Sequence, residues 1–155
     1  MVASTTPIDK PGMQPADEVT AASQPFVVGD GAAAGGLEAL RTLLGSFSGE
    51  PRVAFIVAVH RSPHHESRLA ELLQPYTALP VREIQGSTPL EAGRVYVAPA
   101  TASVVAVDSH IRMVPLAAGS RASIDQLFRA LATAHGARSI GVRLTGAGSD
   151  GALGL

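Results

Sequence analysis

The run Phe26-Val27-Val28-Gly29-Asp30-Gly31-Ala32-Ala33-Ala34-Gly35-Gly36 constrains this chain more than any other stretch. Three apolar residues give way to Gly and Ala, and Leu37-Glu38-Ala39-Leu40 at once opens a helical pattern. The expected local structure is a buried strand over Phe26–Val28, a tight turn and a helix N-terminus. Small residues let the backbone turn sharply and leave its N–H groups clear. Such a turn holds one side chain at its apex, above the carboxyl edge of a sheet. In hydrolases built around a nucleophile elbow that side chain is a serine. Here the apex is Ala32-Ala33-Ala34 and carries no side-chain nucleophile.

The rest of the chain supplies a sheet for this turn to sit on. Residues 1–24 are rich in Pro, Ser, Thr and Ala without periodicity, and are expected to be a disordered tail before a domain over 25–155. Leu37 to Phe47 is apolar at positions 37, 40, 43, 44 and 47, one helical face that Gly45 and Gly49 close. Val53–Val59 is continuously apolar, as a strand buried on both faces is. His60 follows it. Pro63 is compatible with a new helix start, with Leu69, Leu72, Leu73 and Tyr76 as its buried face. Further strands are expected at Leu79–Ile84 and Arg94–Ala98, separated by a turn-rich stretch. Ser103–Val107 and Ile111–Val114, around Asp108-Ser109-His110, read as a β-hairpin. Ser123 and Gln126 match a capping box for a helix through Leu131, which Gly136 ends. Ile140–Leu144 is the last strand, Thr145–Gly151 a glycine-rich loop, and Ala152–Leu155 the start of something helical. Strands alternating with helices imply an α/β fold: a doubly wound, mostly parallel sheet with helices on both faces, plus the hairpin.

Composition narrows the functional classes. At 155 residues, with 46% hydrophobic and 16% charged residues, a single folded domain is expected. A formal net charge of −1 and 4% aromatic residues give neither a basic surface nor stacking platforms for nucleic acid. No cysteine is present, so no thiolate metal site or disulfide forms. No apolar run is long enough to insert into a bilayer and no secretory leader is evident, so a cytoplasmic location is expected.

In open α/β sheets, ligands sit outside the carboxyl ends of the strands. Three marked residues are expected there: Ala33 after the first strand, His60 after the second and Asp150 after the last. With serine at 33 the set would be Ser, His and Asp. A histidine accepts a serine proton, and a buried carboxylate holds the imidazole tautomer. The glycines at 146, 148 and 151 leave backbone N–H groups free to face an oxyanion.

At these residues the chain resembles the catalytic domain of the chemotaxis protein-glutamate methylesterases, the CheB family. The matching segments are Asp30-Gly31-Ala32-Ala33-Ala34-Gly35-Gly36 at the elbow, Val59-His60-Arg61-Ser62-Pro63, and Val95-Tyr96-Val97-Ala98-Pro99. Arg121-Ala122-Ser123-Ile124-Asp125-Gln126-Leu127-Phe128 and Leu144 to Gly151 follow in the family's order. The resemblance implies hydrolysis of glutamyl γ-methyl esters, and deamidation of certain glutamines, on the cytoplasmic helices of chemoreceptors. It implies His60 as general base, Asp150 as its orienting carboxylate and the Ala147 backbone N–H as oxyanion donor, with no cofactor. A methyltransferase, fused or separate, is an implied partner. The departures are Ala33 in place of the serine, Asp30 and Ala122 in place of an apolar residue and a proline, and a domain expected to be incomplete at its C-terminus. This chain is therefore expected to be inactive or strongly impaired. The alternative is a non-catalytic homologue that binds a chemoreceptor or a signalling partner.

Other readings of the same residues carry less. Gly29-x-Gly31-x-x-Ala34 matches a dinucleotide fingerprint, but Ala58-Val59-His60 stands where an acidic ribose ligand is required. His60, His64 and His65 are separated by Pro63 and lack a thiolate, so no metal is expected. Ser149 and Thr145 lie on the wrong loop to replace the nucleophile. His110 and His135 are expected to be exposed turn and helix-end residues. Asp30 either turns to solvent or, if buried, needs a partner or a raised pKa.

Overall fold

The structure, a computed structural model, describes residues 24–33, 35–49, 51–59, 68–107, 109–116, 124–144 and 151–155. The expected tail over 1–24 lies outside the described residues save for Gln24, whose side-chain oxygen accepts a hydrogen bond from the Arg138 guanidinium. Strands β1 (Phe26–Ala32), β2 (Val53–Val59), β3 (Val81–Glu83), β5 (Arg94–Val97) and β8 (Ser139–Arg143) form one parallel sheet in the order β3-β5-β2-β1-β8. Strands β4 (Ser87–Pro89), β6 (Ala102–Val107) and β7 (His110–Pro115) form a second, antiparallel sheet in the order β4-β7-β6. Helices α1 (Leu37–Gly45) and α2 (Leu69–Leu73) lie on one face of the parallel sheet; α3 (Ile124–His135) lies on the other, with β6.

Strand alternation sorts the core into these two layers. Val27, Ala54, Ile56 and Tyr96 face α3, where they meet Ile124, Leu127, Phe128 and Leu131. Val28, Phe55, Val57, Val95 and Val97 face the other way, against Leu40, Leu44, Leu69 and Leu73. The two glycines of β1 admit α3 to close range. A Cβ on Gly29 would stand 2.5 Å from Leu131 Cδ1, and one on Gly31 would overlap Ile124 Cγ2. These glycines are packing sites inside a strand, which removes the dinucleotide-fingerprint reading. Tyr96 is fully buried, and its hydroxyl accepts from Glu91 N at 2.9 Å and donates to Pro89 O at 2.9 Å, tying the loop before β5 to the sheet.

The strand β2 and the hairpin follow the sequence pattern closely. Elsewhere the structure differs for identifiable reasons. Strand β1 runs on through Gly29 to Ala32, because two flanking strands pair with residues whose local preference is for turns. Strand β4, Ser87–Pro89, lies within the stretch expected to be turns. Leu72 and Tyr76 are 42% and 47% exposed, where burial was expected. The helix ends at Leu73 and a 3-10 turn over Gln74–Tyr76 follows, which rotates Tyr76 outward to lie under the Arg41 guanidinium at 4.3 Å. Residues 152–155 are not helical. Of the proposed capping box, Ser123 lies outside the described residues; the Gln126 carboxamide accepts a hydrogen bond from Ser103 Oγ at 2.7 Å.

Gly31→Ala should destabilise the chain by about 1–3 kcal/mol, the usual cost of overfilling a packed interior. The cost should shrink in an Ile124→Ala background, because the two side chains claim the same space. Urea unfolding of the single and double variants measures both. Equal costs in the two backgrounds would contradict the contact.

Candidate active site

The carboxyl ends of β1, β2 and β8 lie side by side at one level. Ala32, the last residue of β1, is opposite Val59, the residue before His60. On the other side Gly31 is opposite Arg143, and Leu144 N donates to Gly31 O at 2.8 Å, one residue before Thr145. Ala33 follows β1 directly and is half-buried. Its carbonyl accepts the Gly36 N–H at 2.9 Å, and Gly36 O accepts from Leu40 N at 3.0 Å, so the turn runs straight into α1. Gly35 has φ +102 with nothing near its missing Cβ: glycine is needed there for backbone conformation, not for packing. The turn is thus strand, small residue, left-handed glycine and helix, as an elbow requires. His60, Ala147 and Asp150 lie outside the described residues, as do His64, His65, Thr145 and Ser149.

Asp30 lies on the same strand, three residues before Ala33, and is fully buried. It shares the face of Val28, and its neighbours in register are Val57 and Val142 on either side. Among the described residues neither carboxylate oxygen has a hydrogen-bond partner. On α1, Glu38 and Arg41 are paired with each other, the Glu38 side chain exposed and the Arg41 side chain largely buried. Burial alone pushes the Asp30 carboxyl up to about 7, so the proton is held where an ordinary aspartate has lost it. Of the two possibilities open in the sequence, burial without a partner is the one realised.

The sequence model of one protein family, described as CheB methylesterase, matches residues 28–155. The chain belongs to the CheB methylesterase family. The protein-glutamate methylesterase/protein-glutamine glutaminase 2 of Methanosarcina mazei is 35% identical over 138 residues, 83% of this chain and 38% of that protein. A protein-glutamate methylesterase/protein-glutamine glutaminase 3 of Burkholderia thailandensis is 38% identical over 134 residues, 83% of this chain and 37% of that protein. The chain therefore spans less than two fifths of these curated relatives' length. The crystal structure of the Thermotoga maritima CheB methylesterase catalytic domain matches with a TM-score of 0.72 at 22% identity, over 84% of this chain and 72% of that one. Its fold is the mostly parallel α/β sheet expected from the sequence.

Within the CheB fold, two other sequence expectations meet the structure. His110 is exposed, as expected, though it opens β7 rather than lying in a turn. His135 is half-buried rather than exposed; its Nε2 is enclosed without a partner among the described residues, and burial, then Arg138, pushes its pKa below the ordinary value. Among the described residues no group of three or more His, Cys, Asp or Glu gathers as a metal site would require, and no helix is long and apolar enough to cross a membrane. One residue that matters at this edge was not singled out in the sequence as a site residue. Asp125, in the first turn of α3, accepts through Oδ1 from the backbone N–H groups of Leu153 and Gly154 at 2.9 and 2.7 Å. A contact 28 residues away along the chain leaves no local signal.

Asp30 makes the stability of this CheB-family chain depend on pH with a definite sign. The folded-state value near 7 lies above the ordinary 3.8. Below the lower value both states hold the proton. Between the two values only the folded state holds it, so stability falls as pH rises, by about 1.4 kcal/mol per unit. Above pH 7–8 the loss levels off at about 4 kcal/mol. Asp30→Asn, which never ionises, should remove this decline, giving a variant less sensitive than the parent between pH 5 and 8. Urea unfolding at the two pH values checks it; parallel losses in both proteins would show that Asp30 is not the source.

Proposed function

We propose that this chain is a methylesterase-type domain that recognises methylated glutamyl side chains on the cytoplasmic helices of chemoreceptors and is deficient in the chemical step. In the reaction assigned to the type, a serine oxygen attacks the γ-carbonyl, methanol leaves, and water releases glutamate; a glutamine is deamidated by the same route. His60 takes the place of the general base, Asp150 that of the carboxylate orienting it, and the Ala147 N–H that of the oxyanion donor. Ala33 stands at the nucleophile position. The single observation that carries this reading is the position of Ala33: the first residue past β1, at an elbow running into α1, between two strands that end at the same level. Membership of the CheB family supports the substrate class, a cytoplasmic setting and a methyltransferase as functional counterpart. A second reading, a purely binding homologue for a receptor or signalling partner, is favoured by the same Ala33, since oxyanion donors and substrate contacts are not built from the missing hydroxyl.

Removing the nucleophile alone from a serine hydrolase costs about 10⁶ in kcat, or roughly 8 kcal/mol of barrier. The unaltered chain should therefore form no acyl-enzyme and release methanol from methylated receptor at no more than a trace rate, while still binding the receptor. Ala33→Ser should raise ester release, and His60→Ala in that background should abolish the gain. Substantial hydrolysis by the unaltered chain, lost on His60→Ala, would overturn the reading.

A further inference from the structure

At the amino edge of the parallel sheet, the opposite end of the strands from Ala33, the chain forms a cavity of about 580 Å³. Small-molecule sites are typically about 300–1,000 Å³ in volume. Three stretches wall it: the one leading into β2 (Gly49, Pro51, Arg52), the one leading into β3 (Leu79, Pro80) and the one leading into β5 (Gly93, Arg94). Each wall is tied down. Gly93 N donates to Val53 O at 2.8 Å, and Val95 N donates to Pro80 O at 3.0 Å. The Gln74 carboxamide braces the stretch before β3 at two points: Nε2 donates to Leu79 O at 3.1 Å, and Oε1 accepts from Val81 N at 2.9 Å. At the rim Gly49 turns the chain with φ +79, and a Cβ there would meet nothing within 4 Å. The cavity is therefore formed before any ligand enters, as small-molecule sites usually are.

Its chemistry is cationic beside apolar surface. Arg52 and Arg94 line it, and no acidic residue does among those described. Arg94 makes its ion pair with Glu91 through Nε, and its side chain stays 32% exposed. The two terminal nitrogens are left to grip a second anion. A guanidinium offers parallel N–H groups that match a carboxylate or a phosphate in a way an ammonium cannot. Pro51, Leu79 and Pro80 give the adjoining apolar wall. We propose that this cavity binds a small organic anion: Arg94 holds the phosphate or carboxylate group, Arg52 adds charge at the mouth, and the proline-lined wall covers an apolar body. Nothing in the site involves the elbow, so it operates with alanine or serine at position 33.

The test is an NMR titration of the labelled chain with phenyl phosphate, benzoate and inorganic phosphate, following backbone amides. Phenyl phosphate or benzoate should displace the amides of Leu79, Gly93 and Arg94 saturably, with a Kd below about 1 mM. Inorganic phosphate, which lacks the apolar body, should bind more weakly at the same amides. Arg94→Gln should weaken the organic anion by about ten-fold or more, the usual cost of a hydrogen bond to a charged group. Arg94→Lys keeps the charge without the fork and should also weaken it. Glu91→Gln removes the competing carboxylate and should tighten binding; it also serves as the deciding variant if an Arg94 variant does not fold. No saturable displacement by either organic anion overturns the proposal. So does saturable binding that Arg94→Gln or Glu91→Gln leaves unchanged, or binding in Arg94→Lys equal to that of the unaltered chain, which would be attraction to charge alone.

Discussion

The contact of α3 with β1 governs the geometry of the carboxyl edge. An α-helix rests on a sheet at a distance set by the side chains between them. Gly29 and Gly31 remove two consecutive side chains from one face of β1, and Leu131, Phe128 and Ile124 fill the space. Burial of such apolar side chains stabilises by roughly 1.5–3 kcal/mol each, which fixes the height and rotation of the helix on the strand. The same rotation aims Asp125 at Leu153 and Gly154 and sets Ile124 over Gly151. Strand, helix and returning segment thus form one packed unit, and the elbow at Ala33 is built on its end.

The sheet follows from the sequence wherever burial and local preference agree. Val53–Val59 is apolar throughout because it is the middle strand of five, covered on both faces. The helix through Phe128 and Leu131 shows its face by spacing alone. Where local preference and tertiary context disagree, the context prevails. Gly29-Asp30-Gly31 has the composition of a turn, yet pairing with β2 and β8 on both sides holds it extended. The five-residue α2 shows the converse. Its apolar spacing suggests that the buried face continues to Tyr76, but the change to a 3-10 turn shifts the angular position of that residue. Residues 152–155 look helical by composition and are held otherwise by the Asp125 carboxylate and by close contacts that only glycine permits.

Of the site, the position of Ala33 was legible in the same way. The level ends of three adjacent strands follow from register, and register follows from the apolar pattern, so the expectation that Ala33 lies at a carboxyl edge needed no more than the sequence. The Asp125 contact, by contrast, joins a side chain to backbone N–H groups 28 and 29 residues later. Nothing in the identity of Leu153 or Gly154 marks them as donors, since every non-proline residue has one. Burial of Asp30 was likewise open, because an aspartate near a strand end in an isolated sequence is equally consistent with solvent. The decision comes from β8, which places Val142 beside it and extends the sheet past it.

Asp30 and Ala33 are physically related departures. An isolated buried carboxylate costs free energy unless protonated or paired, and with a value near 7 Asp30 sits close to half-ionised at neutral pH without a partner among the described residues. Natural domains hold only about 5–15 kcal/mol of stability in total, so a loss of several kcal/mol is a large share of what holds β1 in place. For a serine hydrolase this is the wrong strand to loosen. A displacement of about 1 Å at a reacting centre costs on the order of 10²-fold in rate, and β1 aims the nucleophile. A surface that only binds an extended helix tolerates the same displacement, because its contacts are many and individually weak. With alanine at position 33 there is no attacking atom to aim, and the geometric demand that would exclude a half-ionised carboxyl from β1 is gone. The two residues therefore favour the proposed reading from different physics: alanine at position 33 has no attacking atom, and a buried carboxyl at position 30 lowers the stability of the strand that leads to it.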